Sequence, residues 1–167
     1  MIKLLILDVD GVLTKNKYYD KDGNVIAKAF CDQDFTAIKM FKAAGVNVCF
    51  LSGDNWNETI AKKRKVDFFY CPSIDGVIDK SRILPQIKDK YKVENDEIFY
   101  MGDDYYDMSI MTLLKHKACP GDANPCLMNI PNMWFLKRHS GSGVVAELYD
   151  IMKLVNHYPS VYPRDDL

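Results

Sequence analysis

The fold of this chain is decided by residues 4–14, which read LLILDVDGVLT: an apolar run that ends in two carboxylates spaced two residues apart. A short apolar run of this kind is typical of a strand buried on both faces of a parallel sheet. Parallel sheets bind ligands beyond the carboxyl ends of their strands. We therefore expect Asp8 and Asp10 to lie in a functional crevice.

Length and charge narrow the class of protein. The chain has 167 residues and a formal net charge of −1, so it is long enough for one globular domain with a proper core. A nearly neutral chain gives no reason to expect a nucleic-acid or acidic-membrane partner. The initial apolar run is shorter than the roughly 20 residues that span a bilayer and carries no signal-peptide cleavage pattern. These features predict a cytoplasmic protein.

The cysteines favour the same compartment. There are five, an odd number, and none forms a C-x-x-C pair. Several stand in apolar, strand-like runs. This pattern indicates buried, reduced thiols more than a metal site or a catalytic thiol.

Strand and helix patterns alternate along the rest of the chain with short connections. In the first half of the chain the alternation predicts a β-hairpin at residues 15–30, a helix at 34–44, a strand at 46–51, a helix with Asn55 as its N-cap and a strand at 66–70. A helix then follows Asp79 and kinks or starts late at Pro85. The second half continues with a strand at 98–101, a helix through Met108, Met111 and Leu114, a strand at 117–119, a helix after Gly143 and an irregular tail at 156–167.

This order indicates a single α/β domain over residues 1–167, with three layers and a doubly wound, Rossmann-like, mostly parallel sheet. The β-hairpin is an insertion after the first strand. Four strand ends carry polar groups, and a doubly wound sheet brings such ends to one site. They are Asp8 with Asp10, Ser52 with Gly53, the loop leading to Lys80, and Asp103 with Asp104.

The chemistry of such a site follows from its charges. Clustered carboxylates repel one another unless a cation joins them, and hard oxygen ligands suit Mg²⁺. Ser52, the Gly53 backbone N–H and Lys80 would supply donors and a positive charge for a phosphate on the opposite side. One carboxylate of the Asp-x-Asp pair could then attack phosphorus, while the other protonates the leaving oxygen and later activates water.

Each motif has a simpler interpretation when taken alone. Asp-x-Asp-Gly is often a turn or an N-cap, Ser-Gly after a strand is often a tight turn, and a lysine in the first turn of a helix is normally solvated. Gly-Asp-Asp could cap the helix that follows it. The occurrence of all four motifs in order, each at a predicted strand end, favours the active-site interpretation.

Residues 8–14, 51–53, 79–80 and 101–107 resemble the four motifs of the haloacid dehalogenase-like phosphatase superfamily. The resemblance covers nearly the whole chain. It implies that Asp8 is the nucleophile and Asp10 the general acid and base. The phosphate ligands would be Ser52, Gly53 and Lys80. The Mg²⁺ ligands would be Asp8, the Asp10 backbone carbonyl and Asp103, with Asp104 and Asp107 as supporting acidic groups.

The motif spacing leaves no room for the cap domain of larger members. Only 19 residues separate Thr14 from Asp34, and 26 separate Gly53 from Lys80, too few for a domain of about 50 residues. The chain resembles the capless, tetrameric 3-deoxy-octulosonate 8-phosphate phosphatases and their nonulosonate 9-phosphate relatives. That resemblance implies a homotetramer built by the hairpin at 15–30, in which a neighbouring subunit closes the pocket.

One position departs from the octulosonate pattern. Those phosphatases typically have Gly-Arg after the hydroxyl residue of the second motif, whereas this chain has Gly53-Asp54. An anion beside a carboxylate-bearing sugar should disfavour that substrate unless another base compensates. Some nonulosonate-type relatives carry an acidic residue at this position, so the resemblance favours a nine-carbon or other acidic sugar phosphate. Asp54 is thus a candidate specificity residue.

Three functions remain as hypotheses. The first is a Mg²⁺-dependent phosphomonoesterase for a small phosphorylated sugar acid, working through an aspartyl-phosphate. The second is a phosphoaspartate receiver module, against which Asp10 argues because a second carboxylate beside the nucleophile suits fast hydrolysis. The third is a non-catalytic oligomeric scaffold.

Overall fold

The computed structural model of the protein describes residues 1–156. The described part has eight strands and five α-helices. In chain order they are β1 Leu4–Leu7, β2 Thr14–Tyr19, β3 Val25–Phe30, α1 Asp32–Ala43, β4 Asn47–Ser52, α2 Glu58–Lys63, β5 Asp67–Tyr70, α3 Leu84–Tyr91, β6 Ile98–Met101, α4 Met108–Leu113, β7 His116–Cys119, β8 Met133–Phe135 and α5 Val144–Asn156. Asn156 is the last helical residue, and the rest of the predicted tail lies outside the described residues.

Six of the strands form one sheet in the order β5-β4-β1-β6-β7-β8, and every neighbouring pair is parallel. The chain leaves β1 for β4 and β5 on one side and returns to β6 on the other. The strand order therefore reverses beside β1, which makes the end of β1 the topological switch point. The predicted doubly wound α/β fold is confirmed.

Strand β1 is buried on both faces, as its apolar run predicts. Leu5 and Leu7 pack in a core with α1 and α5, while Leu4 and Ile6 pack in a second core with α3 and α4. All four side chains are fully buried, and each contributes roughly 1.5–3 kcal/mol of burial free energy. Helices on both faces of this strand create the three layers and hold its carboxyl end rigidly.

Strands β2 and β3 form the predicted antiparallel hairpin as a separate two-stranded sheet. Its turn is closed by Asp20, whose Oδ1 accepts hydrogen bonds from the backbone N–H groups of Asp22 and Asn24. Tyr18 and Tyr19 are more than half exposed. Within residues 1–156 neither this insertion nor any other segment forms a cap domain.

One local prediction was wrong, and one strand was missed. The N-cap after β4 is Asp54, not Asn55: the Asp54 Oδ1 accepts the Trp56 N–H at 3.0 Å, a 3₁₀ turn covers Asn55–Asn57 and α2 begins only at Glu58. The short edge strand β8 was not predicted at all. In contrast, the late helix start at Pro85 is confirmed, because a 3₁₀ turn precedes α3 and this proline lies in the first turn of α3.

Helix α5 is capped from a distant part of the chain. The buried Asp34 carboxylate accepts backbone N–H groups of Gly143, Val145 and Ala146 at 2.7–3.2 Å. These donors belong to the helix start, where backbone N–H groups lack intrahelical partners. Asp34 therefore joins α1 to α5. None of the helices within residues 1–156 combines the length and apolarity that crossing a membrane requires.

Candidate active site

The structure brings every predicted site residue to one cavity at the carboxyl edge of the sheet. The cavity has a volume of about 300 Å³. It is lined by the predicted residues Asp8, Asp10, Ser52, Gly53, Asp54, Lys80, Asp103, Asp104 and Asp107, together with Lys17, Ile78 and Tyr106, which were not predicted as site residues.

Lys80 is the cation at the centre of the first charged cluster. Its Nζ lies 2.7 Å from the Asp8 Oδ1 and 2.6 Å from the Asp107 Oδ1, and the side chain is almost fully buried. Burial opposes the ammonium charge, but the two carboxylates outweigh it and raise the pKa of Lys80. Burial raises the pKa of Asp8 to about 7, even though Lys80 opposes that shift. The lysine therefore holds Asp8, the nucleophile candidate, in place and favours its ionised form.

Asp107 organises the cluster, because its carboxylate is saturated with donors. Its Oδ1 accepts from Lys80 and from the Tyr100 hydroxyl, and its Oδ2 accepts the backbone N–H groups of Asp103 and Asp104 at 2.8 and 3.1 Å. A carboxylate offers about four acceptor sites. Asp107 therefore has little capacity left for a metal ion, although one of its oxygens lies near the acidic oxygens of Asp8 and Asp103.

Asp8 and Asp103 have the character of metal ligands. One oxygen from each of Asp8, Asp103 and Asp107 lies within 4.8 Å of the others. Burial, followed by the charges of Asp8 and Asp107, raises the pKa of Asp103 to about 9. No donor within residues 1–156 hydrogen-bonds to the Asp103 carboxylate. This carboxylate thus needs a cation to be ionised at neutral pH, and hard oxygen ligands of this type fit Mg²⁺.

Gly11 makes room for that acidic pair. Its φ is +90°, and an added Cβ would lie 1.9 Å from the Asp103 Oδ2. A side chain at position 11 would therefore displace the carboxylate from the site.

We expect Gly11→Ala to lower catalytic activity by about 100-fold or more, since a displacement of about 1 Å can cost that much. We also expect Mg²⁺ to raise the melting temperature of the wild type but not that of this variant. Gly23→Ala is the matched control, because Gly23 has a similar φ of +84° but nothing within 4 Å of the added Cβ. Equal losses in the two variants would mean that backbone strain, not the Asp103 clash, is responsible.

The second charged cluster centres on Lys28. Its Nζ lies 2.8 and 3.0 Å from the two Asp10 oxygens and 2.7 Å from the Asp54 Oδ2, and its side chain is 0% exposed. Burial would raise the pKa of Asp54, but the Lys28 and Trp56 donors outweigh burial and lower it. The negative charge of Asp54 is therefore compensated from the hairpin.

Lys17 extends this cluster to the cavity surface. It lies directly opposite Lys28 across the hairpin, and its Nζ is 3.3 Å from the Asp10 Oδ2 and 4.0 Å from the Asp54 Oδ2. Its side chain is 31% exposed. The sequence contained one signal for this pair, namely two lysines equidistant from an Asp-Gly turn in otherwise β-prone strands.

Asn57 connects the two halves of the site. Its fully buried side chain donates through Nδ2 to the Asp10 Oδ2 and to the Ser52 Oγ, both at 2.9 Å, and accepts from the Lys28 Nζ at 2.7 Å. No sequence signal indicated this role, because Asn57 stood inside a helix start that the pattern assigned to capping.

The chain is similar to known phosphatases over nearly its whole length. It is 29% identical over 162 residues to the 3-deoxy-D-manno-octulosonate 8-phosphate phosphatase of Haemophilus influenzae, covering 96% of this chain and 88% of that protein. A solved cobalt-bound form of the deoxy-D-mannose-octulosonate 8-phosphate phosphatase from the same organism has a TM-score of 0.82 at 27% identity and covers 93% of this chain and 90% of its own. The solved structure of a proposed hydrolase of the haloacid dehalogenase superfamily, subfamily III A, from Legionella pneumophila has a TM-score of 0.82 at 27% identity. The match covers 93% of this chain and 84% of that protein. No protein-family model matches the chain.

Fold and site together are similar to those of haloacid dehalogenase-like phosphatases, and the described residues contain no cap domain. The four motifs lie at the strand ends, and the parallel sheet superposes on solved members of this class. Within that class, the chain is similar to the 3-deoxy-D-manno-octulosonate 8-phosphate phosphatases.

Proposed function

We propose that the protein is a Mg²⁺-dependent phosphomonoesterase that hydrolyses a small phosphorylated sugar acid through an aspartyl-phosphate on Asp8. The observation that carries the proposal is the contact of the buried Asp8 with Lys80 at 2.7 Å, beside Asp103 and in the same cavity as Asp10 and Ser52. The relatives named above, which act on octulosonate 8-phosphate, support the substrate class.

The first chemical step uses Asp8 as nucleophile. A carboxylate oxygen of Asp8 bonds to phosphorus while the bond from phosphorus to the sugar oxygen breaks. Lys80 loses an ionised partner when Asp8 becomes an acyl phosphate, but Asp107 at 2.6 Å keeps the ammonium in position. The same ammonium then faces the phosphoryl oxygens and stabilises their charge.

Asp10 moves the protons. It gives a proton to the leaving sugar oxygen in the first step and takes one from the attacking water in the second, which releases inorganic phosphate and restores Asp8. Its side chain lines the same cavity as Asp8, two residues further along the chain. Ser52 and the Gly53 backbone N–H bind the phosphate from the side opposite the acidic pair.

Asp8, the Asp10 backbone carbonyl and Asp103 would hold the metal ion, with Asp104 and Asp107 supporting them. When bound, Mg²⁺ supplies positive charge that offsets the repulsion between these carboxylates and the phosphate. The raised pKa of Asp103 fits this assignment, as does the cobalt-bound solved relative.

The Mg²⁺ affinity should rise with pH. The pKa of Asp103 is raised to about 9, so at neutral pH without metal its carboxyl holds a proton that must leave before the oxygen can bind a cation. Titration calorimetry should therefore show a dissociation constant that falls between pH 6 and pH 9, by up to about tenfold per pH unit, with proton release on binding. An affinity that stays constant over this range would contradict the assignment of Asp103.

The hairpin lysines suggest how a sugar acid is recognised. Lys28 is buried and fully engaged, whereas Lys17 is 31% exposed at the cavity wall and can reach a substrate carboxylate. Asp54, with its side chain 34% exposed, can accept hydrogen bonds from hydroxyl groups of the sugar. Because the two lysines compensate Asp54, octulosonate and nonulosonate phosphates both fit this proposal, and Asp54 is the residue we expect to discriminate between them.

A panel of phosphate esters tests the function directly. Release of inorganic phosphate should require Mg²⁺, and sugar-acid phosphates should be hydrolysed with higher kcat/KM than neutral sugar phosphates of the same length. Lys17→Met should reduce that preference, because kcat/KM should fall more for sugar-acid phosphates than for neutral esters. A protein that is inactive on every ester with Mg²⁺ would contradict the proposal.

We also propose that the protein assembles as a homotetramer through the hairpin at residues 15–30. Tyr18, Tyr19 and Ile26 are 52%, 57% and 61% exposed on this two-stranded sheet, and isolated hairpins of this size are marginally stable in water. Sedimentation of a monomer at micromolar concentration would contradict the assembly.

A reducing, cytoplasmic location fits the five free cysteines of the chain.

A further inference from the structure

We propose that Asn57 is a positioning residue: it directs the Ser52 hydroxyl toward the phosphate and fixes which Asp10 oxygen faces the substrate. This inference rests on the proposed phosphatase function and adds a residue that none of the four motifs contains.

The contacts of Asn57 serve the site and not the local backbone. Its backbone forms the boundary between the 3₁₀ turn and α2, yet its side chain makes no capping hydrogen bond there. The capping role belongs to Asp54. All three side-chain partners of Asn57 are site residues, namely Asp10, Ser52 and Lys28. A fully buried amide with only such partners is placed to orient them.

The orientation of the amide follows from Lys28. The Lys28 Nζ is a donor without acceptor capacity and lies 2.7 Å from the Asn57 Oδ1. If the amide were rotated by 180°, its NH₂ group would face this ammonium, donor against donor. Lys28 therefore fixes the Asn57 Nδ2 on the side of Asp10 and Ser52, and both of its hydrogens are used there.

At the Ser52 hydroxyl, only the hydrogen is left without a hydrogen-bond partner within the described residues. Its Oγ accepts the Asp54 backbone N–H at 3.1 Å and the Asn57 Nδ2 at 2.9 Å. A hydroxyl has two acceptor lone pairs and one hydrogen, so both lone pairs are filled. Within residues 1–156 no acceptor takes its hydrogen, and Ser52 lines the cavity. Asn57 thereby turns Ser52 into a donor for an anion.

Asp10 is held asymmetrically by the same amide. Its Oδ2 accepts hydrogen bonds from the Asn57 Nδ2 at 2.9 Å and the Lys28 Nζ at 3.0 Å, and it forms an ion pair with the Lys17 Nζ at 3.3 Å. Its Oδ1 receives only the Lys28 Nζ, at 2.8 Å. Oδ1 is thus the oxygen with free capacity, and it is the one that can face the leaving oxygen of the substrate.

The test compares Asn57→Ala with Asn55→Ala, an exposed asparagine of the same turn. We expect Asn57→Ala to weaken inhibition by inorganic phosphate about tenfold, the effect of one lost charge-assisted hydrogen bond. We expect kcat/KM, which covers only the steps up to formation of the aspartyl-phosphate, to fall about 100-fold more for a sugar phosphate than for p-nitrophenyl phosphate, whose leaving group needs no proton. Asn55→Ala should match the wild type in all three measurements.

A double variant separates positioning from general damage. If Asn57 acts through Ser52, then Ser52→Ala with Asn57→Ala should bind inorganic phosphate no more weakly than Ser52→Ala alone. Should Asn57→Ala not fold, Asn57→Asp keeps the size of the side chain but replaces its donor by an acceptor, and the same losses are expected.

Two results would overturn the inference. One is an unchanged phosphate inhibition constant, and the other is an equal loss of kcat/KM with both esters. In either case a wild type that remains an active, Mg²⁺-dependent phosphatase would leave the proposed function standing. A wild type that hydrolyses neither ester would refute the proposed function itself and the positioning role with it.

Discussion

Asp8→Asn should abolish turnover, with kcat at least about 10⁴-fold lower for any phosphate ester, a loss of the size seen when nucleophiles are removed from other enzymes. The amide has nearly the same shape as the carboxylate but cannot bond to phosphorus to give an acyl phosphate. Lys80 keeps its Asp107 partner at 2.6 Å, so the ammonium stays paired. The fold should therefore persist.

The measurement is steady-state release of inorganic phosphate with saturating Mg²⁺, accompanied by circular dichroism and thermal unfolding. Asp22→Asn, an exposed aspartate in the hairpin turn, is the control and should retain wild-type activity. Substantial Mg²⁺-dependent turnover by a folded Asp8→Asn variant would show that the nucleophile lies elsewhere.

Lys80→Met should have the largest effect on stability. It leaves the Asp8 and Asp107 carboxylates buried without the ammonium that lies 2.7 and 2.6 Å from them. Removing one partner of a buried ion pair typically costs about 3–5 kcal/mol in the free energy of unfolding. Phosphatase activity should be lost as well, since the phosphate loses its facing cation.

Urea unfolding of Lys80→Met, beside Lys62→Met, measures this cost. Lys62 is a suitable control because its side chain is 73% exposed and, within residues 1–156, forms an ion pair only with Glu58 on the same helix face, so its loss should cost less than about 1 kcal/mol. If both variants lost the same stability, the buried cluster would not depend on Lys80. Added Mg²⁺ should restore part of the loss, because a ligand of the native state stabilises it.

The sequence predicts the parts of this structure that depend on local patterns. The apolar run before Asp8 identifies a strand buried on both faces, and the alternation of strands and helices then places its end at the switch point. The Asp-Gly turn likewise predicts the hairpin. The roles of the individual site residues stay predictions until the variants described above are measured.

The second charged cluster was not predicted, because the hairpin pattern indicates only that Lys17 and Lys28 lie opposite each other and not which carboxylates they reach. Lys28 reaches Asp10 and Asp54 only because the hairpin folds back over the end of β1, and no local pattern contains that geometry. Asn57 was hidden for a related reason. The pattern assigned Asn55 as a helix cap, whereas Asp54 caps the turn and the side chain of Asn57 turns inward.

The interpretation of Asp54 changes most. In the sequence it stands as an uncompensated anion where octulosonate phosphatases typically carry arginine. In the structure, Lys28 at 2.7 Å and Lys17 at 4.0 Å restore positive charge around it from the hairpin. We therefore expect Lys17 and Asp54 together to decide the proposed choice between eight-carbon and nine-carbon acids.

The central claim is that phosphate passes through a covalent bond to Asp8, and chemical trapping tests it most directly. Enzyme mixed with substrate and Mg²⁺, acid-quenched within milliseconds and digested, should yield a phosphorylated peptide containing Asp8. Hydroxylamine should remove the phosphate from this peptide. When the reaction is not quenched, the phosphate carried by Asp8 should be released as inorganic phosphate at the rate of turnover. Phosphate release with no label on this peptide, or a persistent label with no release as in a receiver module, would contradict the account.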